Sequence, residues 1–130
     1  MKGLQIDHLV LTVRDIDQTV NFYESVLGMK KVVFKQTRVA LEFGGEGVKQ
    51  KINLHQLGNE FEPKAQHVQQ GSADLCFVSP VSLRVWIKSI TSLGVKIIEG
   101  PVNRTGAAGE IESIYFRDPD GNLIELAHYK

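Results

Sequence analysis

The sequence contains a single cysteine, Cys76, among 130 residues, so an internal disulfide and a disulfide-stabilised secreted scaffold are excluded. It also lacks an excess of charge, because 15 Lys and Arg residues balance 15 Asp and Glu residues. Without a basic field, nucleic-acid binding is not expected. No apolar run approaches the roughly 18–20 residues of a membrane span, and the N-terminal residues lack the apolar core of a signal peptide. We therefore expect a cytoplasmic protein that binds neither nucleic acid nor membrane.

The chain contains an internal repeat. Residues 6–13 and 73–78 are rich in branched apolar side chains and predict strands, and each is followed by a helical pattern that ends at a glycine. The spacing from His8 to Gly28 equals the spacing from Asp74 to Gly94, so the two halves share a register. Each half continues with three more strand patterns. The repeat predicts modules 1–58 and 72–130 within a single domain 1–130, joined by a linker at 59–71.

Local signals set the expected elements. Asp15 or Asp17 is the expected N-cap of the first helix, and Ser82 that of the second. The remaining strands are predicted at 31–34, 39–43, 52–57, 96–99, 113–116 and 123–127. The segment 100–110 is predicted as a loop, and Asp118-Pro119-Asp120-Gly121-Asn122 as a tight turn. This order predicts an α+β fold in which two βαβββ modules form a curved, mostly antiparallel eight-stranded sheet around a metal-binding cavity.

Four ionisable side chains occupy strands at related positions of the repeat. His8 and Asp74 lie at the same position in the first strand of each half. His55 and Glu125 lie in the last strands, at a slightly wider offset that the longer loop 100–110 explains. Strand alternation places His8 and Asp74 on the face opposite the helix. Imidazoles and carboxylates that converge from four strands are suited to a divalent metal ion, although each could instead be a strand residue satisfied by its own neighbours.

The chain resembles the vicinal oxygen chelate superfamily, which includes glyoxalase I, bleomycin and fosfomycin resistance proteins and extradiol dioxygenases. The resemblance covers nearly the whole chain and rests on three strings. These are Asp7-His8-Leu9, the helix end from Asn21-Phe22-Tyr23 to Leu27-Gly28-Met29, and Tyr115-Phe116-Arg117-Asp118-Pro119-Asp120-Gly121-Asn122-Leu123-Ile124-Glu125. The segments 60–65 and 100–107 are most similar to glyoxalase domain-containing protein 5.

The resemblance implies a divalent metal, with Zn, Ni, Mn, Fe and Co left open, held by His8, His55, Asp74 and Glu125. His55 stands where glyoxalases usually have an acidic residue, and Asp74 stands where most members have histidine. Tyr115 precedes Glu125 at the spacing of the hydrogen-bonding tyrosine in the dioxygenases. The family commonly shares its sites across a homodimer, so we expect His8 and His55 of one chain to face Asp74 and Glu125 of its partner.

The resemblance implies a metal-dependent lyase or isomerase of glyoxalase type that acts on a small substrate with adjacent oxygens. Glu125 is the expected proton-transferring carboxylate, with Tyr115 as a second catalytic candidate. Arg104 and Arg38 are candidates for binding an anionic group of the substrate. The alternatives are an extradiol dioxygenase, a thiol transferase, or a non-catalytic protein that binds a drug. Cys76 is expected to be a buried filler of the same face.

Overall fold

The computed structural model describes residues 2–130, which form two compact units. The first unit ends at Gln70, and the second spans Gly71–Lys130. The segment predicted as a linker contains neither helix nor strand, and all but its last residue belong to the first unit. No helix among the described residues is long and apolar enough to cross a membrane.

The first unit is a four-stranded sheet with one helix. Its elements are β1 (His8–Val13), α1 (Ile16–Leu27), β2 (Lys30–Phe34), β3 (Arg38–Phe43) and β4 (Gln50–Gln56). The strand order is β1-β4-β3-β2, in which β1 and β4 are parallel and the other pairs are antiparallel. Leu11 and Val13 of β1 are buried, whereas His8 and Val10 on the opposite face are exposed. The predicted division into two faces is therefore confirmed at the start of the strand, whereas near its end Thr12, on the face of His8, is buried as well.

The ends of α1 follow from two residues. The side chain of Asp15 accepts a hydrogen bond from the backbone N–H of Gln18 at 3.1 Å, so Asp15 is the N-cap. Gly28 ends the helix with φ of 69°, a left-handed conformation that glycine adopts without steric cost. Between these ends the helix buries Thr19, Val20, Tyr23 and Val26.

The second unit repeats the plan of the first. Its elements are β5 (Asp74–Val78), α2 (Leu83–Ser92), β6 (Glu99–Gly106), β7 (Gly109–Arg117) and β8 (Leu123–Tyr129), with strand order β5-β8-β7-β6. The α+β fold and the βαβββ repeat are confirmed, and the eight strands are divided between two mixed four-stranded sheets. Ser82 holds the N-cap position of α2, but its side chain makes no capping hydrogen bond.

The edge of the second sheet differs from the prediction. Residues 96–98 lie outside any strand, and the segment 100–110, predicted as a loop, forms most of β6 and the start of β7. The side chains of β6 are mostly exposed, so the strand lacks the apolar alternation from which strands are predicted. Backbone pairing with β7 holds it instead, and Gly100 is required there. Its φ is 102°, and an added Cβ would lie 2.3 Å from the carbonyl oxygen of Ser113.

Candidate functional site

His8 is the exposed candidate ligand of the first unit. Its Nδ1 lies 2.7 Å from Oδ1 of Asp7, and this hydrogen bond fixes the orientation of the ring. A histidine oriented through one nitrogen by a carboxylate presents the other nitrogen to a partner. Nε2 of His8 is therefore the atom available for a metal or a substrate.

The structure does not bring His8 and His55 together. In the parallel pair of β1 and β4, His8 lies opposite Lys51, and His55 lies opposite Thr12. The two histidines are thus four residues apart in register, about 13 Å along the strands. The side chain of His55 instead contacts Arg38, whose Nη2 lies 3.4 Å from Nε2 of His55.

The register corrects the repeat relation drawn from the sequence. In the second unit Glu125 lies opposite Cys76, two residues beyond Asp74. The equivalent partner in the first unit is Asn53, which lies opposite Val10, two residues beyond His8. His55 therefore corresponds to Ala127 and not to Glu125. The sequence comparison matched His55 with Glu125 and was two residues out of register. Loop lengths differ between the halves, and no local signal in the sequence shows which strand residues pair.

Asn53 is a polar residue that the sequence analysis missed. It is 6% exposed, and its Oδ1 is buried with no hydrogen-bond partner among the described residues. A buried amide oxygen without a donor is unfavourable, so Oδ1 of Asn53 stands out as a polar atom that lacks a partner. Only the position of Asn53 within the repeat could have identified it, and that position depends on the strand register.

Glu125 lies at the centre of a polar cluster in the second unit. Its neighbours across the strands are Cys76 on β5 and Tyr115 on β7. The hydroxyl of Ser113, a fully buried residue, donates a hydrogen bond of 2.6 Å to Oε2 of Glu125. Ser113 thereby helps to fix the carboxylate, which also interacts with the thiol of Cys76 and the hydroxyl of Tyr115. Asp74 lies on the same face and is exposed.

Tyr115 and Arg104 form a second part of this cluster. Nε of Arg104 donates to the hydroxyl of Tyr115 at 3.0 Å, and Nη2 donates to Oε2 of Glu99 at 3.1 Å. Burial raises the pKa of Tyr115, the hydrogen bond from Arg104 opposes that shift, and the charge of Glu125 adds to it. Tyr115 therefore remains a protonated hydrogen-bond donor near Glu125. Arg104 is already ion-paired, so an anionic substrate would compete with Glu99 for it.

Cys76 is not the buried filler that the sequence predicted, since it is exposed. Desolvation, together with the charge of the neighbouring Glu125, raises the pKa of its thiol to about 11. A thiol with so high a pKa is almost entirely protonated near neutral pH and is a poor nucleophile. Asp74, Cys76 and Val78, which lie on one face of β5, are all exposed.

His55 is 4% exposed, and the pKa of its imidazole is lowered, first by burial and then by the positive charge of Arg38. In the unfolded chain the imidazole has the ordinary value of about 6.5. As the pH falls through 6.5, the unfolded chain takes up a proton that the folded protein resists, so the free energy of unfolding decreases. We expect His55→Gln to reduce this acid-induced loss.

The measurement is chemical denaturation between pH 7.5 and pH 5, with His67→Gln as the control because His67 is exposed. The expected result is a shallower decline in stability for His55→Gln than for the wild type and for the control. An equal decline in all three proteins would show that His55 titrates normally.

Among residues 2–130, no three His, Cys, Asp or Glu side chains lie close enough together to hold a metal ion. The donors instead form two matched pairs, His8 with Asn53 in the first unit and Asp74 with Glu125 in the second. Asn53 lies two residues after Lys51, which is the strand partner of His8. Glu125 likewise lies two residues after Leu123, which is the strand partner of Asp74.

Comparisons with known proteins identify the family of the chain. The family model described as Glyoxalase/Bleomycin resistance protein/Dioxygenase superfamily matches residues 5–126. The chain belongs to this superfamily. The further resemblance to glyoxalase domain-containing protein 5 is not confirmed and stays a prediction.

Three curated relatives extend over nearly the whole chain. Virulence protein STM3117 of Salmonella typhimurium is 58% identical over 125 residues, which is 96% of this chain and 84% of that protein. Glyoxalase domain-containing protein RDO1 of Mycosarcoma maydis is 56% identical over 125 residues, 96% of this chain and 68% of that protein. Metallothiol transferase FosB of Bacillus licheniformis is 29% identical over 126 residues, 96% of this chain and 75% of that protein.

Two solved structures share the fold closely. The integron cassette protein VCH_CASS1 from the mobile metagenome of V. Cholerae is similar with a TM-score of 0.94 and 63% identity, covering 100% of this chain and 98% of that chain. The crystal structure of STM3117 gives a TM-score of 0.94 with 57% identity, covering all of both chains. The superfamily fold is therefore shared along the full length of the chain.

Proposed function

We propose that the protein is a divalent-metal-dependent enzyme of glyoxalase type that acts on a small substrate with adjacent oxygen atoms. The observation that carries the proposal is the pair of matched donor positions, His8 with Asn53 and Asp74 with Glu125. One imidazole nitrogen, one amide oxygen and two carboxylates are a suitable donor set for a divalent transition metal. The fixed ring of His8 and the unpaired Oδ1 of Asn53 support it further.

The proposed donor set leaves out His55, which the resemblance to the superfamily implied. The guanidinium of Arg38 lies beside Nε2 of His55, and a positive charge there opposes a bound cation. His55 as a ligand stays a prediction. We further propose that the donors of the first unit of one chain act with those of the second unit of another, in a symmetric homodimer.

A metal bound by these donors would act as a Lewis acid and neutralise negative charge that develops on the substrate oxygens. The protein groups handle the proton. Glu125 is held at Oε2 by Ser113, and its carboxylate is the group that would take a proton from a substrate carbon and return it to the adjacent carbon. Tyr115, which remains protonated, can donate a hydrogen bond to the carboxylate or to a substrate oxygen.

A second candidate is thiol transfer, in which a thiol adds to an electrophilic carbon such as that of an epoxide. The observation that favours it is the relationship to metallothiol transferase FosB, which extends over 96% of this chain. The same donors would serve both reactions, because both develop charge on a substrate oxygen. They differ in what Glu125 must do, since only the isomerisation requires it to move a proton between carbons.

Metal analysis tests the donor set directly. We expect about one divalent ion for each chain in the purified wild type. Loss of a ligand or of its hydrogen-bonding support typically weakens metal binding by about 10–100-fold or more, so His8→Ala and Glu125→Gln should each remove the ion. His67→Ala is the matched control because His67 is exposed and lies outside the set. Metal content that is undiminished in both site variants would overturn the assignment.

Two assays of the metal-reconstituted protein separate the candidate reactions. Isomerisation is followed with several thiol adducts of methylglyoxal, and thiol transfer is followed with the same thiols and small epoxides. A turnover on the order of 10 per second in the first assay supports the glyoxalase-type reaction. Turnover in the second assay alone would replace it with thiol transfer.

A further inference from the structure

The first unit contains a cavity of about 420 Å³ between its sheet and the segment 63–68. The sheet contributes Val10, Thr12 and His55 to the lining, and the segment contributes Lys64 and Val68 among others. The volume lies within the range of roughly 300–1,000 Å³ that is typical of small-molecule sites. The cavity is therefore large enough to hold a substantial part of a substrate.

The cavity begins next to the proposed metal donor His8. Val10, which lines the cavity, lies two residues after His8 on the same face of β1, about 7 Å further along the strand. Thr12, which also lines it, lies about 13 Å from His8 in the same direction. A molecule whose oxygens are held beside His8 can therefore extend along β1 into the cavity.

Thr12 supplies a polar group to the lining. The residue is only 8% exposed, and its hydroxyl makes no hydrogen bond to any of residues 2–130. A largely buried hydroxyl without a partner is unfavourable, and a ligand that bonds to it removes this cost. Because a hydroxyl can both donate and accept, a polar atom of a ligand can bond to Thr12 without carrying a charge.

The charges around the cavity cancel. Nζ of Lys64 lies 3.1 Å from Oε1 of Glu60 and 3.7 Å from Oε1 of Glu62, so two carboxylates outweigh one ammonium there. Arg38, which contacts His55, supplies the balancing positive charge. A charged group of a ligand would therefore lose its hydration in the cavity without gaining a free counter-ion, whereas an uncharged group avoids this cost.

We propose that the cavity holds an uncharged, mainly apolar arm of the substrate that ends in one hydroxyl or carbonyl group. This inference rests on the proposed function, because the two adjacent oxygens of the same molecule are held at the metal site beside His8. The apolar part of the arm packs against Val10 and Val68, and its terminal polar atom bonds to the hydroxyl of Thr12. The substrate class is thus a neutral compound with adjacent oxygens at one end and an apolar arm at the other.

Four catechols test the proposal by calorimetry on the full chain loaded with Zn²⁺, which is inert to oxidation and reduction. Catechol itself has two adjacent oxygens and no arm. The compound 4-(3-hydroxypropyl)catechol has a neutral arm, 4-(2-carboxyethyl)catechol has an anionic arm, and 4-(3-aminopropyl)catechol has a cationic arm. We expect the neutral arm to lower Kd by about tenfold or more relative to catechol, because it buries three methylene groups. Each charged arm is expected to give a gain below about threefold, because its charge must be desolvated.

The outcomes separate this inference from the proposed function. If catechol itself does not bind to the Zn²⁺-loaded protein, the proposed function is overturned and this inference falls with it. If catechol binds and the neutral arm brings no gain, only the inference is overturned. Equal gains from the neutral arm and from a charged arm would also overturn it, because the cavity would then not select an uncharged group.

Substitutions at two lining residues show whether the arm lies in the cavity, and the second keeps the test valid if the first variant folds poorly. Val68→Phe fills the cavity and should abolish the gain from the neutral arm while catechol binds as before. Thr12→Val removes the hydroxyl and should reduce the gain by about threefold to tenfold, whereas Thr12→Ser should retain it.

Val85→Phe is the matched control, because Val85 lies exposed on α2 and does not line the cavity. It should bind all four catechols as the wild type does. An undiminished gain in folded Val68→Phe would overturn the cavity as the site of the arm. An undiminished gain in folded Thr12→Val would overturn the bond between the arm and Thr12.

Discussion

Two inactive variants, His8→Ala and Glu125→Gln, are expected to recover about a quarter of the wild-type metal sites when they are unfolded and refolded together. If each site takes His8 from one chain and Glu125 from the other, half of the randomly formed dimers contain one variant of each kind. Such a dimer has one intact site and one doubly damaged site. The readout is bound metal after reconstitution, and activity once a substrate is known.

A second mixture makes this test independent of refolding yield. Wild-type chains refolded with an equal amount of the double variant, His8→Ala with Glu125→Gln, should retain about a quarter of the sites if the sites are shared between chains. They should retain about half if each site lies within one chain. Recovery near zero in the first mixture together with about half in the second would contradict the shared site.

The fold could be predicted from the sequence because its signals are local. Branched apolar runs marked β1 and β5, the cap at Asp15 and the glycine at Gly28 marked the ends of α1, and the matched spacing of the halves marked the repeat. The edge strand β6 could not be predicted in the same way. Its side chains are mostly exposed, and what holds it is backbone pairing with a strand that follows it in the chain.

The candidate site could be predicted only in part, because strand register decides which side chains are neighbours. His8, Asp74 and Glu125 were identified from type and spacing, whereas Asn53 and Ser113 were not. Asn53 and His55 are two residues apart on β4, so their side chains lie on the same face of the strand. The hydrophobic pattern of the sequence therefore does not distinguish which of the two is the equivalent of Glu125. Ser113 could be identified only from its hydrogen bond to Glu125 in the structure.

The turn between β7 and β8 shows a further limit of sequence reasoning. Residues 118–122 predicted a tight turn, and the structure has one there. Their side chains also form a hydrogen-bond network that extends beyond the turn. Oδ1 of Asp118 accepts from the backbone N–H groups of Asp120 and Asn122, and Oδ2 accepts from Nδ2 of Asn122. Oδ1 of Asn122 in turn accepts from the N–H of Ala73, just before β5. The turn therefore also anchors the start of the strand that carries Asp74.

Replacing Asn122 with alanine is expected to destabilise the protein by about 2–4 kcal/mol. Asn122 is 1% exposed, so its removal takes away the acceptor of the Ala73 N–H and a donor to Oδ2 of Asp118 in a region that water does not reach. Denaturant unfolding measures the loss, and amide hydrogen exchange at Ala73 should accelerate by more than the global change alone explains.

Asn103→Ala is the matched control, because Asn103 lies exposed on β6 and its side chain is not part of this network. A surface substitution of this kind is expected to change stability by no more than about 0.5 kcal/mol. Equal effects of the two substitutions would show that the network contributes little. A loss of stability in Asn122→Ala alone, accompanied by weaker metal binding, would show that the turn also positions Asp74. The reason is that β5 begins at Asp74, directly after Ala73, and pairs with the strand that carries Glu125.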